Sequence, residues 1–532
     1  MSREFHQAPK GQSPIKYFLW VLLIVAGALF VAFFFVAGAR ELHGTAQAWL
    51  AITQNSKPTP IAEAKNFKIT DENGTTEVLG AFTRDSVENE TTPSNLKFGE
   101  GYGKGLTMFR GNPSRSWYGT GPLPDNPRVL WRYPDTAMCS ESSDKGVVKT
   151  WCGSGWTGQP VVWERPDGIT EVIFGAYDKH VHFVNAETCK DTRPPFKTGD
   201  ILKGSVTLDP DGFPLLYFGS RDNKVRVVAL DRDVPTELWS LDTVDVPGIW
   251  NNDWDSNPII RDDLMFEGGE QGWFFVIKLN REYSIDGKVS VSPKIIFKTP
   301  SYDDALIAKV GDNNLGIENS VAMFEDRVYF ANSGGRVMGL DISNVESGIA
   351  PLVFDYWMGD DVDASIVIDD EGMLYVSSEK DRLNARAETV GQLVKLDPSK
   401  PENPRVWGVS IPAKVSSIPG GIWATPAIYK GFVYTATNPG ELLAVDRATG
   451  EVTYRDNLNP HAWSSPIIAD GELMVTTCDG RIRKYSLENP AKPAFLSEFN
   501  LPSGSCIEST PALWDGRLYV GARDGYLYAI GD

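Results

Sequence analysis

The chain repeats one phrase eight times, and the cleanest copy is the last, Ser509 to Ile530. It reads as a short strand, a turn at Asp515-Gly516, a second strand, a turn at Asp524-Gly525 and a third strand. Three or four short strands cannot bury both faces of their own sheet. Copies must therefore stack on one another. Ser464-Ser465-Pro466 opens another copy, with turns at Asp470-Gly471 and Asp479-Gly480, and Ala424-Thr425-Pro426 opens a third. Looser copies begin near Ala364, Asn319, Ser256, Gly204 and Gly158. Starts fall roughly 40 to 65 residues apart, which suits four strands per unit with variable loops.

The strands are short and rich in Val, Ile, Tyr and Phe, and the turns carry Gly, Asp and Asn. This is β patterning with turn chemistry. A fourth, outer strand follows most copies: 237–241, 294–298, 352–357, 405–409, 452–455 and 494–499. The eighth copy is followed by none. An orphan strand of that type, Arg128 to Tyr133, precedes the first copy. The expectation is an all-β, eight-bladed β-propeller of four-stranded antiparallel blades, in which 128–133 completes blade eight and clasps the ring.

Ala444-Val445-Asp446-Arg447-Ala448-Thr449-Gly450-Glu451 resembles the Ala-x-Asp-x-x-Thr-Gly-Lys/Glu signature of the quinoprotein-type (PQQ-like) β-propeller repeat family. Phe109-Arg110-Gly111-Asn112-Pro113 and Pro127-Arg128-Val129-Leu130-Trp131 resemble that family's opening. The resemblance covers 105–532 and implies a fold rather than a function, because dehydrogenases and assembly scaffolds share the repeat.

Residues 17–39 form an N-terminal segment of a different kind. Tyr17 to Ala39 is a run of 23 residues with no charge, long enough to span a bilayer as one transmembrane helix. Lys10 and Lys16 precede it, so the tail 1–16 is expected in the cytoplasm and the propeller outside it. The rival reading is a signal peptide cleaved after Ala37-Gly38-Ala39. Residues 40–104 read as a linker or stalk, with 67–69 and 77–82 as a candidate hairpin.

The net charge of −19 argues against nucleic-acid binding. The five cysteines include no Cys-x-x-Cys pair, so a zinc cage is not expected. Strand direction puts Cys139, Cys152, Cys478 and Cys506 on one face. Disulfides Cys139–Cys152 and Cys478–Cys506 are expected, with Cys189 free.

The first strand of each blade should line a central channel, with the loop before it at the mouth. Three residues before each Pro of the repeat phrase, or its replacement, stand Thr157, Lys203, Asp255, Glu318, Asp363, Trp423, Trp463 and Glu508. This ring, with Asn257 and Asn319, is the candidate ligand or cation site. Carboxylates and amides suit a hard cation, and the tryptophans offer flat faces. Trp156, Trp250, Trp254 and His461 are candidate rim residues. The bland counterpart is a wet channel lined by solvated polar groups. His180 and His182 share a strand face, and two acidic runs lie at 360–363 and 369–371, where a solvated loop is the commoner outcome.

The reading favours a membrane-anchored, extracytoplasmic binding or assembly platform without catalysis, without a cofactor and with protein partners in the cell envelope. The alternative implied by the resemblance is a quinoprotein oxidoreductase using pyrroloquinoline quinone and calcium. In that case the family pattern stacks the quinone on a channel tryptophan, holds calcium by Glu, Asn and Asp, and bonds adjacent cysteines. No two cysteines here are neighbours.

Overall fold

The computed structural model describes residues 105–532, except 145, 156–157 and 414–418, together with two strands at 67–70 and 76–79. The segment 17–39 lies outside the described residues. Among the described residues no helix is long and apolar enough to cross a membrane. Phe67–Thr70 and Thr76–Leu79 pair antiparallel, as the hairpin expectation had it.

Eight sheets follow one another along the chain, and together they form the eight-bladed propeller. Blades two to seven are each a four-stranded antiparallel meander in sequence order. Blade six shows the logic: Ala427–Tyr429, Phe432–Ala436, Glu441–Asp446 and Val452–Asn457. Its middle strands alternate apolar residues toward both neighbouring blades, so Val433, Tyr434, Leu442, Leu443, Ala444 and Val445 are all buried. Burial on both faces is what stacking demands of a twisted sheet between two others. Most third-to-fourth strand pairings carry a register shift near the outer end, for example between Ala444 and Val445. Such bulges increase the local twist that each blade needs.

Blade one is the irregular one. Its outer strand is reduced to Phe196–Lys197, and Gly105–Leu106 is added along its inner edge. Blade eight closes as expected. Arg128–Tyr133 pairs antiparallel with Tyr526–Gly531 and supplies the missing outer strand. A second addition was not foreseen: Gly119–Thr120 lies parallel to Ala512–Trp514 on the inner edge of the same blade.

Between those two edge additions, residues 107–118 run through the channel and bond to strands of seven blades. Arg110 N donates to Gln159 Oε1 (2.7 Å) in blade one, and Thr107 O accepts from Leu208 N (2.9 Å) in blade two. Phe109 N donates to Asn257 Oδ1 (3.1 Å) in blade three, while Pro113 O and Ser114 O accept from Met323 N and Ile368 N in blades four and five. The Arg110 guanidinium reaches Pro426 O (2.6 Å) and Pro466 O (2.5 Å) in blades six and seven. Gly119–Thr120 completes the circuit at blade eight. Gly111 sits at φ +65°, and a Cβ there would lie 2.2 Å from the Trp117 ring, so the hairpin inside the channel needs a glycine. The segment is a plug that enters from the face opposite the mouth, because its ends pair with the far ends of the first strands.

Cys139 and Cys152 face each other across the hairpin Cys139–Asp144/Val147–Cys152 and are bonded. Cys478 and Cys506 are bonded between the middle turn of blade seven and the loop entering blade eight. Cys189 is free. The second bridge spans 28 residues of sequence, so loop-closure entropy puts the cost of Cys506→Ser at about 3.5 kcal/mol. Urea unfolding of the variant should show that loss, and a loss under about 1 kcal/mol would contradict it.

Candidate functional site: an acidic cup over a plugged channel

The plug meets the first strands at the level of Asn257, Val321, Pro426 and Pro466, just below the predicted ring. The channel is therefore blind from the mouth, and the mouth is a cup. Its wall has two tiers: the loop before each first strand, and the turn between second and third strands, which antiparallel pairing places on the same face.

On the arc of blades two and three, the Lys203 ammonium sits among three carboxylates. It pairs with Asp255, with Glu270 (3.2 Å) and with Asp253 (3.5 Å). Arg221 Nε reaches Asp253 at 2.7 Å, and Asn251 Nδ2 donates to Glu270 Oε2 at 2.9 Å. Lys203 keeps its proton far above the usual lysine range: burial works against the charge, but Asp255, Glu270 and Asp253 outweigh it. Burial and crowding raise the Asp255 carboxyl well above its ordinary value.

The next arc, blades four and five, holds Glu318, Asp361, Asp363 and Glu379, of which Asp361 and Glu379 are buried and Glu318 and Asp363 half-buried. Glu318 accepts from Ser333 Oγ (3.0 Å). Arg382 approaches Asp361 at 3.5 Å. Burial first, then repulsion between neighbouring carboxylates, lifts Glu318, Asp361 and Glu379 well above the carboxylate range. Burial also raises Asp363, against the hydrogen bonds it shares with Glu379 and Asp361. Asp360 caps the same loop, its Oδ1 accepting from Asp361 N and Arg382 N at 3.0 Å. So the acidic run 360–363 is buried structure at the mouth, not a solvated loop.

Blades six and seven supply the aromatic arc. Trp423 and Trp463 have ring centroids 4.3 Å apart at 42°, and His461 lies 4.3 Å from Trp463. Glu379 bridges to Gly421, which ties this arc to the acidic one. Glu508 of blade eight faces Arg523 at 3.7 Å. Burial raises Glu508 and lowers His461.

The structure thus brings Lys203, Asp255, Glu318, Asp363, Trp423, Trp463 and Glu508 to one rim. Thr157 and Trp156 lie outside the described residues. Other candidates are placed differently. Asn319 spends its amide on Ala331 N, Ala331 O and Val362 O. Asn257 spends its own on Phe109 N, Arg115, Ser205 O and Thr207. Both brace the inner wall rather than face a ligand. Trp254 is fully buried against Phe275, whereas Trp250 of the same loop is exposed. His182 bonds Tyr133 OH (3.0 Å) and Asp178 on the blade-one edge, a packing role. Asp369 is buried too, held by Tyr375 OH (2.9 Å) and Arg447 (2.5 Å). Sequence reasoning missed Asp253, Glu270, Arg221 and Glu379 as wall residues, and Asp361 was seen only as part of an acidic run. For Arg221, Glu270 and Glu379 the available signal was the 2-to-3 turns that share the mouth face; Asp253 lies two residues before the aligned Asp255.

The donor set bears on calcium and quinone. Asp253, Asp255 and Glu270 converge closely enough for one ion. The Lys203 ammonium already lies among them, and both candidate amides are committed elsewhere. These residues do not fit a calcium–quinone pair.

The crowded carboxylates give a pH prediction. Burial and Glu270 push Asp253 up to about 7, against the pull of Lys203 and Arg221. Unfolded, the same group titrates near 4. Between those values the folded state binds the extra proton, so its stability falls as pH rises from about 4 to about 7, by at most about 1.4 kcal/mol per pH unit. Asp253→Asn should flatten that slope in urea titrations at pH 5, 6 and 7; an unchanged slope would remove Asp253 as its source.

A family model described as outer membrane protein assembly factor BamB matches residues 391–492. No curated protein matches the chain. Among solved structures, the quinohemoprotein alcohol dehydrogenase ADHIIG from Pseudomonas putida HK5 superposes with a TM-score of 0.53 at 12% identity over 80% of each chain. Sqt1 from Saccharomyces cerevisiae gives 0.52 at 10% identity, over 77% of this chain and 99% of that one. A europium-containing methanol dehydrogenase gives 0.50 at 14% identity, over 83% and 99%. At these identities the likeness is one of fold, and it is shared by proteins named as dehydrogenases and by one that is not. With its blade topology and its Asp446–Glu451 signature, the chain is an eight-bladed PQQ-like β-propeller.

Proposed function

We propose that this chain is a membrane-anchored, extracytoplasmic propeller that serves as a non-enzymatic binding or assembly platform, with its ligand site in the mouth cup. The observation that carries the reading is Lys203 seated among Asp253, Asp255 and Glu270 above a plugged channel. A platform needs a rigid, chemically distinctive face, and the plug gives the rigidity. The chain's own ammonium takes the place that a catalytic calcium would need, which argues for the platform and against the quinoprotein oxidoreductase. The uncharged run Tyr17 to Ala39, with lysines before it, supports the anchor and the extracytoplasmic side. The two disulfides suit an oxidising compartment. The family model named for an assembly factor supports protein partners in the envelope.

Two measurements test this. Crosslinking in native membranes followed by capture of the full chain should recover a reproducible protein partner; none would defeat the platform reading. The purified full chain given calcium and pyrroloquinoline quinone should show no quinone absorbance and no dye-linked alcohol oxidation; turnover would restore the oxidoreductase.

A further inference from the structure

The two acidic arcs of the cup are chemically alike and differently served. In one, three carboxylates hold an ammonium on a four-carbon stem, that of Lys203. In the other, Glu318, Asp363 and Glu379 form no ion pair among the described residues, while Arg382 on Asp361 also answers Asp312. Lys380, the next cation in sequence, is turned to Glu388 instead. Glu379 is 4% exposed and shares a hydrogen bond with Asp363, but no donor from elsewhere reaches its Oε1 or Asp363 Oδ1. An acceptor buried that deeply without a donor costs free energy unless something comes to it. Beside it stand Trp423 and Trp463, the kind of flanking surface that favours a cation over a neutral group.

We propose that the blade-four and blade-five arc receives a lysine or arginine side chain carried on a loop of the partner protein, seated on Asp363, Glu379 and Glu318 as Lys203 is seated next door. The inference rests on the platform reading and names the chemistry of its partner. An alkylammonium or guanidinium suits the arc because it brings several donors on an apolar stem, and the floor of the cup stops a longer insertion. It also explains why the arc is left deficient in positive charge: the missing cation arrives with the partner, which gives specificity through the cost of leaving the arc unpaired.

The probes are N-acetyl-lysinamide and N-acetyl-argininamide, with N-acetyl-norleucinamide as the uncharged isostere and calcium chloride as the metal control, each titrated into the full chain by calorimetry. Both cations should bind, and norleucinamide should bind at least about tenfold more weakly. Glu379→Gln and Asp363→Asn keep the shape of the arc, and each should weaken the cations by about tenfold without lowering the melting temperature. Binding should also release protons, so its heat should vary with the buffer's ionisation enthalpy. Equal binding of norleucinamide, no cation binding at millimolar concentrations, or calcium binding that excludes both amides would each overturn the proposal. A captured partner whose crosslinks are unchanged by Glu379→Gln would overturn it while leaving the platform standing. Cation binding with no captured partner would overturn the platform and, with it, the assignment of the cation to a protein.

Discussion

Arg115→Met is expected to cost at least about 4 kcal/mol of unfolding free energy, more than any single change at the rim. Arg115 is fully buried in the channel. Its guanidinium donates to Val321 O (2.8 Å), Phe109 O (2.8 Å), Asn257 Oδ1 (2.9 Å) and Asn257 O (2.9 Å). Those acceptors belong to the plug, blade three and blade four. Methionine fills much of the volume but leaves the carbonyls without donors, at about 1–3 kcal/mol for each buried group. Burial holds the carboxyl of Glu267, also fully buried, well above its usual range, and the Arg115 charge that pulls it back down is lost in the variant. Burial pushes Arg115 itself down to about 9, so it remains charged at neutral pH. Arg115→Lys should recover little, because one ammonium cannot present the planar fork that spans three elements. Equilibrium urea unfolding reads the effect, and a loss below about 1 kcal/mol would mean that the plug is a passenger.

The ring was legible in the sequence and the plug was not, and the reason is periodicity. Eight copies of one phrase announce the blades, and the orphan strand Arg128–Tyr133 is visible because it has the same β pattern as the other outer strands. The segment Thr107 to Tyr118 has no period at all. Its bonds are made one at a time, each to a different blade, by Arg110, Arg115 and backbone groups between them. Arg110 and Arg115 sit at φ +55° and +60°, where a repeat pattern gives no hint. The cup divides in the same way. Lys203, Asp255, Glu318 and Asp363 could be found by aligning one position through all copies. Glu270 and Glu379 lie in the turns after the second strands, at offsets that only the turn geometry connects to that position. Asn257 and Asn319 look like ligands in a sequence because amides can serve a cation or a backbone equally well. Which they serve depends on carbonyls and amides from neighbouring blades.

Removal of Tyr526 to Asp532 is expected to cost roughly 6 kcal/mol or to abolish the cooperative transition. Tyr526–Gly531 is the third strand of blade eight and lies between Arg517–Ala522 and Arg128–Tyr133. Leu527, Tyr528 and Ile530 are buried there, and each contributes about 2 kcal/mol by burial alone. The larger consequence is topological. Without this strand, Arg128–Tyr133 has nothing to pair with, and the two ends of the ring part. Trp131 then loses its packing on Tyr519, and Arg517–Ala522 of the last blade is left as an open edge. Deleting Asp532 alone removes only its bonds to Asn126 N and the Arg128 side chain and should cost under about 1 kcal/mol. Limited proteolysis distinguishes the two, with new cleavage near 125–135 expected only in the longer truncation. Plug and clasp are competing accounts of what closes the ring. If the plug alone held the blades in register, the truncated chain would melt cooperatively and Arg115→Met would not. If the clasp alone did, the reverse would hold. Both effects are expected to be large, because the plug ties the blades to the centre while the clasp joins the two ends of the ring within blade eight, and neither set can replace the other.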